Sequence, residues 1–156
     1  MGSKSDFLEN KLIDWFFRAQ AIGITGASAA AGTGPATLYV GLLTAAPSDS
    51  AAGTEVSGGS YARVAVTSGL SAWAGTQGAG TTVASTGTGG TTSNNAAITF
   101  PAPTANWGVV THFAIYDAAT AGNLLYWAAL TTSKTINNGD AAPSFAAGAL
   151  TVQEDN

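Results

Sequence analysis

Few residues in this 156-residue chain could carry acid–base or nucleophilic chemistry, and none has the spacing for it. There is one histidine, His112, and no cysteine. His112 sits in an alternating segment in which Val110 and Ala114 share its face. A serine triad needs a nucleophile and an acid brought to the imidazole. Asp117 is close in sequence but falls on the opposite face of the strand or in the turn beyond it, and no G-x-S-x-G elbow occurs. His112 is therefore read as a structural or interface residue. A single histidine without cysteine rules out ordinary zinc sites. Asp49 with Glu55, or Asn137 and Asn138 with Asp140, could offer oxygens to calcium, but neither group has EF-hand spacing. Asp49, Glu55, Asp117 and Asp140 are the candidate acids for glycoside chemistry, and each is placed in a predicted turn, where an acid usually shapes the turn. Gly78–Gly80 and Gly87–Gly90 lack the G-K-[ST] ending of a phosphate loop. The expectation is a chain with no catalytic residue, no cofactor and no metal, hence no enzyme. Trp15, Trp73, Trp107 and Trp127 could stack on sugars, but such rings more often fill cores and interfaces.

The elements around these residues fall into two parts. Residues 5–19 are expected to form a helix, with Ser3 and Asp6 at capping-box spacing and Ser5 as a second candidate N-cap. Phe7, Leu8, Leu12, Trp15, Phe16 and Ala19 recur at helical spacing and give one apolar face, while Lys4, Glu9, Lys11, Asp14 and Arg18 lie largely on the other. This face either covers the end of the chain's own β body or docks on a neighbouring subunit. Residues 20–35 read as a flexible connector, so 1–35 is taken as helix plus connector and 36–156 as a β domain.

Beyond the connector the period changes to two. Strands are expected at Thr37–Leu43, Glu55–Ser57, Tyr61–Thr67, Thr81–Ala84, Ala97–Phe100, Gly108–Tyr116, Leu124–Leu130, Lys134–Ile136 and Ala149–Gln153. Asp117–Gly122 and Asn137–Asp140 read as turns. Ser68–Asn95 is a long Gly/Thr/Ser stretch anchored by Trp73. Seven to nine short strands argue for an all-β fold: an antiparallel β-sandwich with one N-terminal α-helix. A jelly roll is the preferred topology and an immunoglobulin-like sandwich the alternative.

Charge narrows the function. Asp, Glu, Lys and Arg make up only 9% of the chain, against about 25% in an average domain. None occurs from Val64 to Tyr116. An uncharged exterior of Thr, Ser, Gly, Ala and Asn suits a protein that packs against other proteins. The net charge of −4 and the absence of a basic stripe argue against nucleic acid as a partner. No apolar run is long enough to span a membrane, and the N-terminus does not read as a signal peptide. The interface candidates are Phe7, Leu8, Leu12, Trp15, Phe16, Phe17, Arg63 and Trp73. Arg63, the one charge in its strand, either pairs with Glu55 or Asp117 or reaches a partner's carboxylate.

An ordered series of segments carries a resemblance. It runs from Ser5–Leu12 through Thr37–Pro47 (TLYVGLLTAAP), Glu55–Val64 (EVSGGSYARV) and Ile98–Pro101 (ITFP) to Asn138–Asp140, Phe145 and Gly148–Val152. In these the chain resembles a family of small virion proteins of tailed bacteriophages, known as tail-fibre or structural proteins and similar to head cement or decoration proteins. The resemblance implies no catalytic residues. It implies a virion protein made in the host cytoplasm, expected on the capsid surface, with the major capsid protein and a homo-dimer or homo-trimer as partners. The alternative it leaves is a tail-fibre or receptor-binding component that contacts host glycans.

Overall fold

The computed structural model describes residues 4–23, 34–48 and 50–154. Ser3 and most of the 20–35 connector lie outside these residues. Among the described residues the chain forms one helix, α1 (Asp6–Phe16), then β1 (Thr37–Ala45), β2 (Thr54–Glu55), β3 (Val64–Thr67), β4 (Thr91–Ser93), β5 (Ile98–Thr99), β6 (Gly108–Tyr116), β7 (Leu124–Ile136), β8 (Ser144–Phe145) and β9 (Thr151–Gln153). It is thus a mostly β chain with a single short helix, and β1 with β2 and β6, β6 with β7, and β4 with β9 all pair antiparallel. The ladders form one five-stranded sheet, β2-β1-β6-β7 with β3 also on β1, and two two-stranded pairs, β4-β9 and β5-β8. That differs from the two four-stranded sheets of the preferred jelly roll. Five strands have only two or three residues each. Proline follows or precedes two of them, at Pro101 and Pro143, and withholds the donor that a longer ladder needs.

The contacts divide the chain into two compact units. The first takes in α1, Thr67–Ile98 and Phe145–Asn156; the second takes in Leu38–Val66 and Thr99–Ser144. The helix is thus grouped with the long Gly/Thr/Ser stretch and the C-terminal strand.

In the first unit Ser5 caps α1, its hydroxyl accepting from the Leu8 amide. Asp6 and Glu9 stand in the first turn, where carboxylates favour the helix dipole. The helix ends as the Gln20 amide donates to the Asp14 carbonyl, with Ala19 at φ +53°. This is the left-handed closure in which glycine is usual. Ala19→Gly is expected to stabilise the chain by about 1 kcal/mol, raising the melting midpoint by roughly 2–4 °C. A calorimetric scan that shows no rise would count against this closure.

The polar side of the helix faces inward. Glu9, Asp14 and Arg18 are buried, whereas Phe7 is 57% exposed and Leu8, Leu12, Trp15 and Phe16 are half-buried. Only Ile13 and Phe17 supply buried apolar groups from this segment, and Phe17 packs on Trp73 with ring centroids 5.0 Å apart. Asn10, Asp14 and Arg18 follow one another at four-residue spacing along one face. Asn10 donates to the Gly87 carbonyl and accepts from the Thr76 hydroxyl. Asp14 accepts from the amide and hydroxyl of Ser85. Arg18 donates to Asp14, to the Ser85 hydroxyl and to the carbonyls of Trp73 and Val83. These bonds replace the strand expected at Thr81–Ala84: the segment is held by side-chain hydrogen bonds to the helix and forms no ladder.

In the second unit β1 is apolar on both faces, with Leu38, Val40, Leu42 and Leu43 buried. β6 keeps the expected bounds, while β7 runs through what looked like two strands. The 117–123 turn between them is pinned by Asp117, whose carboxylate accepts from the amide and side chain of Asn123. Gly122, at φ +73°, is required there: a Cβ would lie 2.4 Å from Asp117 Oδ1.

Candidate functional site

The register of the large sheet sets out the site. Gly41 pairs with Ala114 and Ala114 with Trp127, while Leu43 pairs with His112 and Tyr39 with Tyr116. Directly opposed residues share a face. One face of the sheet therefore carries Tyr39, Gly41 and Leu43 from β1, His112, Ala114 and Tyr116 from β6, and Trp127 from β7. Leu43, Ala114 and Tyr116 form an apolar cluster there, with Tyr39 and Leu124 packed against it.

Around this cluster lies a charged network. Arg63 grips Glu55 with two parallel bonds, Nε to Oε1 at 2.8 Å and Nη2 to Oε2 at 2.7 Å. Its third nitrogen donates to the carbonyls of Ala118 and Ala121, both at 2.7 Å. The guanidinium lies 3.4 Å over the Tyr116 ring. The Tyr61 hydroxyl donates to Glu55 Oε1 and accepts from the Leu42 amide. Gly41 makes room: a Cβ there would come within 3.0 Å of Glu55 Oε1 and of the Tyr61 hydroxyl. Arg63 thus adopts the structural pairing of its two sequence readings, and the partner is Glu55. All three of its nitrogens are engaged within the chain.

Burial raises the Tyr61 phenol far above its ordinary range; the Leu42 amide partly offsets this and the bond to Glu55 reinforces it. Tyr116 is also raised, by burial and then by the charge of Glu55, against the opposing pull of Arg63. Both phenols hold their protons more tightly in the folded chain than in the unfolded chain, which loses them above pH ~10. Their contribution to stability is then complete below that pH and falls as pH climbs beyond it. The urea midpoint is expected to decline above pH ~10, and Tyr61→Phe should make that decline shallower. An unchanged decline in this variant would exclude Tyr61 as its source.

His112 and Asp117 do not combine into a catalytic set. His112 Nδ1 lies 2.8 Å from the Thr111 hydroxyl, and the Asp117 carboxylate is held by Asn123. Asn123 also lowers the Asp117 pKa.

The interface candidates separate by burial. Phe7 is exposed, Leu8, Leu12, Trp15, Phe16 and Arg63 are half-buried, and Phe17 and Trp73 are completely buried in the first unit. A docking surface can draw on the first six; Phe17 and Trp73 belong to the core. The candidates omit Trp127, which is 40% exposed beside a concavity of about 410 Å³ lined by Ser48, Ser50, Ala51, Ala52, Leu124 and Leu125. Its segment, LLYWAAL, offers no period that distinguishes an exposed ring from a buried one. The Asn10–Asp14–Arg18 spacing is a signal that was available: three hydrogen-bonding side chains in line seek partners.

A family model described as Podophage GP4 fiber I protein gp80 matches residues 3–153. The chain belongs to this family. It is a structural protein of the bacteriophage virion. The family description names a fibre, which was the alternative of the sequence reading, and lends no support to the capsid-cement reading. No curated protein matches the chain.

Proposed function

We propose that the chain is a non-enzymatic fibre component of a tailed-phage particle and that it contacts the host surface. The single observation that carries this reading is the family match over residues 3–153. The composition agrees with it. An almost uncharged exterior limits repulsion between closely packed copies and leaves hydroxyls and aromatic rings as the groups on offer. The helix supplies an attachment surface, with Leu8, Leu12, Trp15 and Phe16 half-buried on the flank away from Asn10, Asp14 and Arg18, and Phe7 exposed in its first turn. In this reading that flank docks on a neighbouring virion subunit, in a homo-oligomer or on another tail protein.

Gold-labelled antibodies against the chain, applied to intact particles, test the proposal. Label is expected on fibres at the tail. Label spread over the head would return the cement reading and overturn this one.

A further inference from the structure

We infer that Asn138 is a latent site of deamidation: the turn between β7 and β8 shields the Asn138-Gly139 pair in the folded chain, and opening of that turn releases it. The inference stands on this turn and is independent of the fibre reading.

Sequence and geometry pull in opposite directions here. Asn138-Gly139 is the only Asn-Gly pair in the chain. Asparagine is thermolabile, and most so before glycine, whose lack of a side chain leaves its nitrogen unhindered. In the reaction the Gly139 nitrogen loses its proton and attacks Asn138 Cγ. A bond forms between them, the Cγ–Nδ2 bond breaks, and Nδ2 takes up a proton and leaves as ammonia. Water then opens the resulting imide ring at one of its two carbonyls, and position 138 becomes aspartate or isoaspartate. Asn138 and Gly139 are both exposed, so water reaches the pair freely.

The fold opposes the first step in two ways. The Gly139 amide donates to the Pro103 carbonyl at 3.0 Å, which holds the proton that must leave. The turn also aims the nitrogen away. The Asp140 amide donates to the Asn137 carbonyl, Gly139 has φ +80°, and Asn138 is not left-handed. These features make a type II turn with Asn138 and Gly139 at its centre. Such a turn sets ψ of its first central residue near about +120°, which points the Gly139 nitrogen away from the Asn138 side chain. Closing the ring requires rotation about that ψ. Two further bonds resist it, from the Asn138 amide to Asn106 Oδ1 at 2.9 Å and from the Asn137 amide to Asp140 Oδ2 at 2.7 Å. The glycine that the left-handed position requires is thus the residue that makes the pair labile once the turn opens. Isoaspartate would carry the main chain through the side-chain carbon, so the bonds to Asn106 and Pro103 would not both re-form.

The test uses the full chain, incubated at mildly alkaline pH both folded in buffer and unfolded in urea. Peptide mass mapping follows each asparagine for the mass gained as NH2 gives way to OH. In the unfolded chain position 138 is expected to change before any other asparagine. In the folded chain it is expected to change about tenfold or more slowly. Asn106→Ala removes the acceptor of the Asn138 amide at an exposed position. Asp140→Ala, which frees the Asn137 amide, is a second way to loosen the turn. Melting curves establish that the variants fold, and in each the folded chain is expected to change at position 138 several-fold faster than the native fold. The inference is overturned if position 138 changes as fast folded as unfolded, if another asparagine leads in the unfolded chain, or if neither folded variant changes faster than the native chain.

Discussion

Arg18→Met is expected to destabilise the chain by about 3–5 kcal/mol. Arg18 is 0% exposed, and its guanidinium donates to Asp14, Ser85, Trp73 and Val83. Methionine fills much of the same volume but leaves the Asp14 carboxylate buried with only the Ser85 bonds, and leaves two carbonyls unsatisfied. The cost comes mainly from the stranded charge. Replacing both partners, Asp14→Leu with Arg18→Met, should therefore cost less than the two single changes summed. Urea unfolding of the three variants measures this. A loss below about 1 kcal/mol for Arg18→Met would mean that the network does not hold the helix to the 73–87 segment.

Arg63→Ala is expected to cost about 2–4 kcal/mol. The substitution removes the bidentate grip on Glu55, two bonds to carbonyls in the β6–β7 turn and the contact with the Tyr116 ring. Glu55 is about one-quarter exposed, so water recovers part of the loss and the figure stays below that of the wholly buried pair. Arg63→Lys should rescue little, because an ammonium cannot span both Glu55 oxygens and the two carbonyls at once. Hydrogen exchange should report faster opening of the 117–123 turn in both variants. Full rescue by lysine would show that charge alone matters at this position.

The sequence made the large strands legible and hid the short ones. β6 is a nine-residue, largely apolar run with Phe113–Tyr116 buried on both faces, and its bounds agree with the expectation at both ends. β4 and β8 have three and two residues, too few for any period, and Thr91–Ser93 lies inside a run of Thr and Gly that reads as loop. The helix shows a different limit. Its period groups Leu8, Leu12, Trp15 and Phe16 as expected, but Phe7 stands seven residues before Asp14, on the hydrogen-bonded side, and Glu9 seven before Phe16, on the apolar side. Which side faces inward depends on what the opposing chain offers. Here the 73–87 segment offers carbonyls, hydroxyls and an amide, so the polar side is buried. Arg63 was read as pairing with Glu55 or Asp117 or reaching a partner's carboxylate, and the structure selects Glu55. Trp127 was grouped with the other three tryptophans, because nothing in LLYWAAL distinguishes an exposed ring from a buried one.

The family match and the fold support one account: a charge-poor antiparallel β chain, stabilised by two internal ion-pair networks, which we propose serves as a fibre component of the phage particle. A cryo-EM reconstruction of the intact virion tests this most directly, by searching head and tail for the five-stranded sheet β2-β1-β6-β7 with β3. The account predicts that this sheet is found in fibre density at the tail, with the α1 flank bearing Leu8, Leu12, Trp15 and Phe16 against a neighbouring subunit. Density for it repeating across the capsid lattice, and absent from the fibres, would contradict the account.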